Sequence, residues 1–300
     1  MTTARDFGPR STADEVLAGH ALSGQRIVVT GANIGIGYDT ARALAAAGAT
    51  VVLACRDTAR GEEALGRILC DHPGAQASVL ALDLGSLASV RAFCAALPEG
   101  PLQAIVCNAG LIAPDFGQSA EGIERTVGVC HFGHFALVQG LLPRLLAAGK
   151  PRVVMVASES HRAPRTLDFD NFPLQAGNYA AMKAYGQAKL CNVLMANELQ
   201  RRYGAQGLTA CSLHPGTMVT TNIGNESLLV RAVMRLVSPF TKNCNQGAAT
   251  SVWAVVHEPA ADIAGRYLRD CRVDRASREG ENPEPARRLW ELSERWLAGH

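Results

Sequence analysis

Two overlapping Tyr-x-x-x-Lys pairs stand out in the sequence, Tyr179/Lys183 and Tyr185/Lys189. A spacing of four puts both side chains on one helix face. A tyrosine hydroxyl, with an ordinary pKa of about 10, needs help to exchange a proton near neutral pH. A cation beside it supplies that help by favouring the phenolate. Lysine occurs only at positions 150, 183, 189 and 242, so the pairs do not follow from abundance.

Helical periodicity selects the second pair. Ala181, Ala184, Tyr185, Ala188, Asn192, Met195 and Leu199 form a small or apolar stripe with steps of three and four. Lys183 lies two residues before Tyr185, about 200° round an ideal helix, and is expected to face away. Asn178 reads as an N-cap, with Tyr179 in the first turn. Ser158 ends an apolar run, where its hydroxyl can donate to a carbonyl oxygen and stabilise a developing oxyanion. Ser160 competes for that role. The long loop from 159 to 178 is expected to shape a pocket.

Positioning these groups requires a scaffold. Arg26–Thr30, Thr50–Ala54, Ser78–Leu82, Ala104–Cys107, Arg152–Ala157 and Leu208–Leu213 read as strands. Helix-length stretches lie between them, at Ile36–Ala47, Thr58–Cys70, Ser86–Leu97, Gly122–Ala148 and Ala181–Tyr203. Such alternation predicts an α/β fold, a doubly wound, mostly parallel sheet between two helical layers. Near-continuous apolar strands fit a sheet buried on both sides. Ligands then bind at the carboxyl ends of the strands.

The first strand runs into Thr30-Gly31-Ala32-Asn33-Ile34-Gly35-Ile36-Gly37, and a helix follows. Glycines allow a tight turn and a close approach of backbone to a pyrophosphate, and the helix N-terminus supplies free N–H groups. The second strand ends at Arg56-Asp57. An acid there suits the ribose of NAD, and a cation suits the 2′-phosphate of NADP. Arg56 can hold a phosphate with two hydrogen bonds, so NADP(H) is expected ahead of NAD(H), although Asp57 is only one residue away. Asp83-Leu84 and Asn108-Ala109-Gly110 end two further strands, with Asp83 a candidate acceptor for the adenine amine and Asn108 a tie to the adenosine ribose. Pro215-Gly216-Thr217 and Thr220 follow the sixth strand and are candidates for the nicotinamide amide. The apolar segment within 221–243 reads as a substrate lid.

The net charge of +2 and the lack of a basic run give no reason to expect a nucleic-acid partner. Nine scattered cysteines suit a reducing, cytoplasmic setting. No apolar run reaches spanning length. Cys130-His131-Phe132-Gly133-His134 superficially suggests a metal cluster, but no carboxylate reinforces it, and buried structural histidines are expected instead. Residues 1–24 read as an N-terminal extension and 25–300 as a single domain.

Together these residues resemble the short-chain dehydrogenase/reductase family over nearly the whole chain. Thr30–Gly37 is similar to its cofactor turn, Asn108-Ala109-Gly110 to its N-A-G motif, and Ser158, Tyr185 and Lys189 to its catalytic triad. Cys55-Arg56-Asp57, His131-Phe132-Gly133-His134-Phe135, Ser158-Glu159-Ser160-His161-Arg162 and Ala286–Arg295 resemble the branch of retinol-dehydrogenase-like and WW-domain-containing oxidoreductases, in its catalytic domain alone. The resemblance implies a Rossmann fold. It also implies hydride transfer between NADP(H) and a lipophilic carbonyl or alcohol of steroid, retinoid or polyketide type, and a homodimer or homotetramer formed by pairing the helices at 122–148 and 181–203. One position departs. The family carries Asn before the H-x-G-H-F stretch, completing a proton relay, and here Cys130 stands there. That departure supports the alternative of a catalytically weak dinucleotide-binding regulatory or scaffold protein.

Overall fold

The computed structural model describes residues 7–172, 177, 179–216 and 242–300. Along β1 (Arg26–Thr30), Ile27 and Val29 enter one hydrophobic core while Val28 enters another. Successive side chains of a strand face opposite ways, so a strand apolar at every position needs cover on both faces. β2 (Thr50–Cys55), β4 (Ala104–Cys107), β5 (Arg152–Val156) and β6 (Thr209–His214) divide their residues in the same way.

α1 (Ala13–Leu17), α2 (Gly35–Ala46), α3 (Thr58–Asp71) and α8 (Cys244–Val256) cover the first face. α4 (Leu87–Ala96), α6 (Gly133–Leu146), α7 (Ala181–Tyr203) and α9 (Pro283–Ala298) cover the second. With β3 (Gln76–Ala81), β7 (Tyr267–Arg269) and β8 (Arg272–Asp274) the described residues form one eight-stranded sheet. Its order is β3-β2-β1-β4-β5-β6-β7-β8, parallel except for the β7–β8 hairpin. This is the expected doubly wound α/β domain. The strand order reverses between β1 and β4, which opens a crevice at their carboxyl ends.

Several expectations are corrected. β3 is an edge strand whose residues are all exposed or half-buried, so it is not buried on both faces. The expected helix at 122–148 is broken. A short α5 (Arg125–Val127) passes into a π-helical turn, Gly128–Phe132, before α6 begins. The turn closes with Gly133 N–H bonded to Gly128 C=O. Gly133 is pressed onto β3's successor loop so closely that a Cβ would lie 2.1 Å from the Leu84 carbonyl oxygen. Within the stretch read as an N-terminal extension, Ala13, Val16, Leu17 and Leu22 join the first core, and Thr12 caps α1 through a reciprocal capping box with Glu15.

α9 covers the outer side of α6 and α7. Trp290 packs edge-on against Phe135 of α6 at 5.0 Å and meets Tyr203 of α7 at 6.2 Å. Trp296 meets Phe132 at 4.9 Å, and Leu289 and Ala286 pack with Leu190 and Leu194 of α7. Part of the surface of α6 and α7 is thus covered by the chain's own C-terminal helix.

Candidate functional site

The crevice is lined first by the glycine turn. Gly31 and Gly35 have φ of +65° and +62°, which L side chains rarely adopt. Gly37 has no room for a side chain, since a Cβ would lie 2.3 Å from Gly31 O and 2.4 Å from Asn108 Nδ2. Ile34, the N-cap of α2, is 52% exposed at the tip. The carbonyl of Asn33 accepts from Arg67, whose guanidinium lies 4.3 Å over the Tyr38 ring, and Ile36 packs against the first core. A bare turn leading directly into a helix N-terminus is the cradle that a pyrophosphate requires. The residues present therefore fit a dinucleotide.

A hydroxyl ties this turn together from beneath. Thr30 Oγ1 accepts from the backbone N–H groups of Asn108 and Ala109, each at 2.9 Å, and lies 3.0 Å from His134 Nε2. His134 Nδ1 lies 3.1 Å from the Cys130 carbonyl oxygen, which can only accept, so Nδ1 carries the ring proton. Nε2 is then the acceptor and Thr30 the donor. Asn108 donates its amide to Thr30 O at 2.9 Å, which ties its side chain to the turn. Thr30 and His134 were not legible as site residues, because the bonds that join them to each other and to Asn108 and Ala109 are long-range.

Arg56 is exposed at the end of β2. Asp57, its rival for the ribose, is engaged elsewhere: it caps α3 by accepting from Arg60 N at 3.1 Å and pairs with Arg60 at 3.4 Å. At the end of β3, Asp83 accepts from Gly85 N at 2.8 Å, and Leu84 is buried in the second core. Gly110 lies against the catalytic candidates, since a Cβ there would be 3.3 Å from both Lys189 Nζ and Cys130 Sγ. After β6, Pro215 and Gly216 are described, and Gly216 sits under the Lys242 side chain, which pairs with Asp270 at 2.5 Å. Thr217, Thr220 and the lid segment 221–243, apart from Lys242 and Asn243, lie outside the described residues.

Tyr185 and Lys189 share one face of α7, with Lys189 Nζ 5.5 Å from the Tyr185 ring centroid. Lys189 is buried and donates to Val156 O at 2.9 Å, and Asn192 donates to the same oxygen at 3.1 Å. Val156 is two residues before Ser158, so these bonds set the register of the tyrosine helix against the serine strand. Gly186 presses on the turn after Ser158, where a Cβ would meet Ser160 O at 3.2 Å and Pro164 Cδ at 3.3 Å. Ser158 Oγ accepts from Ser160 N at 3.2 Å and lies 3.3 Å from Ser160 Oγ. The other pair separates as expected, with Lys183 exposed and 3.8 Å from Asp168. Tyr179 does not lie in the first turn of the helix. Helix α7 begins at Ala181 with Ala180 as its N-cap, Asn178 lies outside the described residues, and the Tyr179 hydroxyl donates to the Ala113 carbonyl.

Cys130 lies in the π-turn, fully buried, with Sγ 3.8 Å from Leu111 O. Burial pushes its thiol pKa up. His131 and His134 are buried, bonded to Ser293 and to the Cys130 carbonyl and Thr30, and among the described residues no group of three or more His, Cys, Asp or Glu could hold a metal. No described helix is long and apolar enough to cross a membrane.

A short chain dehydrogenase family model matches residues 25–168. The WW domain-containing oxidoreductase of Homo sapiens is 40% identical over 304 residues, covering 99% of this chain and 73% of that protein. Retinol dehydrogenase 12 of Mus musculus is 38% identical over 274 residues, covering 91% and 86%. Among solved structures, an uncharacterised protein of Mycobacterium paratuberculosis superposes with a TM-score of 0.76 at 32% identity, over 94% of this chain and 97% of that one. A chain assigned as a 2-deoxy-D-gluconate 3-dehydrogenase of Agrobacterium tumefaciens, solved with bound NADP, gives 0.63 at 26% identity, over 83% and 95%.

Proposed function

The chain belongs to the short-chain dehydrogenase family, and on that premise we propose that it transfers a hydride between NADP(H) and the carbon of a lipophilic carbonyl or alcohol. The observation that carries the reading is the stitching of Lys189 to Val156 O, which sets Tyr185 beside the Ser158 turn. When bound, the nicotinamide supplies or accepts the hydride. Ser158 and Tyr185 hold the substrate oxygen, and Tyr185 gives it a proton in reduction and removes one in oxidation. Lys189 places a positive charge beside the phenolate that forms, and its 2.9 Å bond to Val156 O keeps it there. The preference for NADP(H) is supported by Arg56 at the β2 end and by the engagement of Asp57 with Arg60. It is supported too by the NADP bound to the Agrobacterium relative.

A lipophilic substrate is supported by the apolar surroundings of α7's first turn. Met182, one turn before Tyr185, is 60% exposed, and the rings of Phe116 and Tyr179 meet edge-on at 5.8 Å just ahead of the helix. Cys130 favours a second reading, a dinucleotide-binding protein with little turnover. The test is titration of the purified protein with NADPH and NADH by nicotinamide fluorescence, followed by NADPH oxidation with all-trans-retinal and phenanthrenequinone. The enzyme reading expects turnover that Tyr185→Phe abolishes. It also expects NADPH affinity to fall about ten- to hundred-fold in Arg56→Ala, the loss of a charged hydrogen bond, with NADH affinity unchanged. NADPH binding without turnover favours the second reading, and retained turnover in Tyr185→Phe overturns the first.

A further inference from the structure

His161 is fully buried three residues after Ser158, in the short 3-10 turn Glu159–Arg162. Its Nδ1 lies 2.7 Å from the Ser158 carbonyl oxygen, and the backbone N–H of Ser277 lies 3.0 Å from its Nε2. A carbonyl can only accept and a peptide N–H can only donate. The ring is therefore neutral, with its proton on Nδ1 and its lone pair on Nε2 facing Ser277. Burial also disfavours the charged form and lowers its pKa.

We infer that His161 is a positioning residue for Ser158, locking the serine's peptide group and wiring it to the segment between β8 and α9. The inference rests on the reading that the Ser158 hydroxyl engages the substrate oxygen. Ser158 is held in an extended conformation, φ −164° and ψ 160°, with its hydroxyl accepting from Ser160 N and its carbonyl accepting from His161. Turning the 158–159 peptide, and with it the hydroxyl, breaks the His161 bond. The brace itself is firm. The Tyr267 ring packs on the imidazole at 4.7 Å, and both neighbours of the turn reach the same region. Arg162 donates to the Arg275 carbonyl, and Glu159 lies 3.5 Å from Arg269. The segment that ends the sheet thus sets the orientation of a group at the site.

Two substitutions separate the nitrogens. In His161→Asn the amide N–H stands near the Nδ1 position, keeping the bond to Ser158 and leaving Ser277 unpaired. In His161→Gln the amide reaches the Nε2 position, keeping Ser277 and removing the side-chain bond to Ser158, whose carbonyl keeps only the backbone N–H of residue 161 at 3.1 Å. Each loses one buried hydrogen bond, so a merely structural role lowers the melting temperature and the turnover of both alike. The positioning role lowers kcat in H161Q roughly ten- to hundred-fold, the usual effect of removing a supporting hydrogen-bond partner. It leaves kcat in H161N within about threefold, and NADPH affinity is unchanged in both. Turnover is read with phenanthrenequinone and all-trans-retinal, with Ser158→Ala as control. Equal kcat in H161Q and H161N overturns the inference while leaving the proposed activity intact. A Ser158→Ala protein that turns over normally, or a parent with no turnover on either probe, overturns the reading on which the inference rests, and the inference with it. Should either variant fail to fold, 15N NMR of the histidine-labelled parent decides: a proton on Nδ1 of His161 is expected, and one on Nε2 overturns the wiring.

Discussion

Acid should unfold this protein through its buried imidazoles, three of which carry the largest shifts. His131, His134 and His214 are all buried, and burial lowers their pKa values from 6.5 to about 3, about 4 and about 4. None has an acceptor ready for a second proton. His134 already uses Nδ1 on the Cys130 carbonyl and Nε2 on Thr30. His131 bonds Ser293 through Nε2, and its Nδ1 has no partner among the described residues, nor has either nitrogen of His214. In the unfolded chain each titrates near its ordinary value. Between the folded and unfolded values the unfolded state therefore binds more protons, and stability falls as pH falls. The loss begins near pH 6.5 and levels off only below the folded values. From pH about 7.5 to about 5.5 each ring contributes roughly 1.4 kcal/mol, so the three together remove about 4 kcal/mol. That is a large part of the 5–15 kcal/mol or so that holds a domain together. Urea titrations followed by tryptophan fluorescence across this window measure it. A proton on the folded His134 would turn Nε2 from acceptor to donor towards Thr30, so NADPH affinity should hold through this window and weaken only near pH 4. A slope below about 1.4 kcal/mol per pH unit near pH 5.5, fewer than one proton, would refute the reasoning.

Three further perturbations probe the frame of the site. Thr30→Val keeps the shape but leaves Asn108 N–H, Ala109 N–H and His134 Nε2 without the hydroxyl they share. A loss of about 1–3 kcal/mol is expected in urea titration, with Thr30→Ser restoring it, and an unchanged Thr30→Val would dismiss the network. Gly37→Ala puts a methyl 2.3 Å from Gly31 O. Overpacking of roughly 1–3 kcal/mol and loss of NADPH binding are expected, and full affinity by fluorescence titration would show the turn to be more open than described. Trp290→Ala empties a site that is 2% exposed and should lower unfolding stability by about 3–5 kcal/mol, whereas a change under about 1 kcal/mol would mean that α9 is not docked.

Much of the frame was legible because burial leaves a strong mark on composition. β1, β4 and α7 run over the expected ranges, since each is a central element whose apolar pattern has no competing explanation. What failed did so for local reasons. β3 has strand composition, but residue type does not report whether a strand has one neighbour or two. The π-turn at Gly128–Phe132 needs one residue more per turn than the helical period assumes, and the contact of Gly133 with Leu84 is purely tertiary. β7 and β8 are three residues each, too short for a pattern. Their two-residue turn, Asp270-Cys271, has φ of +52° and +57° without a glycine to signal it. Within the candidate site, Tyr185, Lys189 and Ser158 were singled out by chemical type and spacing, and the fold places Tyr185 and Lys189 on one helix face next to the turn that holds Ser158. Asn192 bonds the Val156 carbonyl 36 residues away and His161 the Ser277 N–H 116 residues away, which no local pattern encodes. Asp57 is the instructive middle case. Its capping of α3 is an ordinary Asp signal, and reading it as such removes the conflict with Arg56.

The covering helix α9 also bears on how the chain is born. Synthesis runs from the N-terminus, so every surface that α9 shields is made before α9 exists. While the ribosome is still translating the 280s, Phe132, Phe135 and Tyr203 have no Trp290 or Trp296 to close over them. A nascent chain at that stage presents an aromatic bed on otherwise finished helices, a surface prone to capture by another unfinished copy or by a chaperone. Anything that slows translation of this last stretch lengthens that exposure, so codon usage over residues 283–298 should affect yield more than the same change in α3, whose outer face is polar.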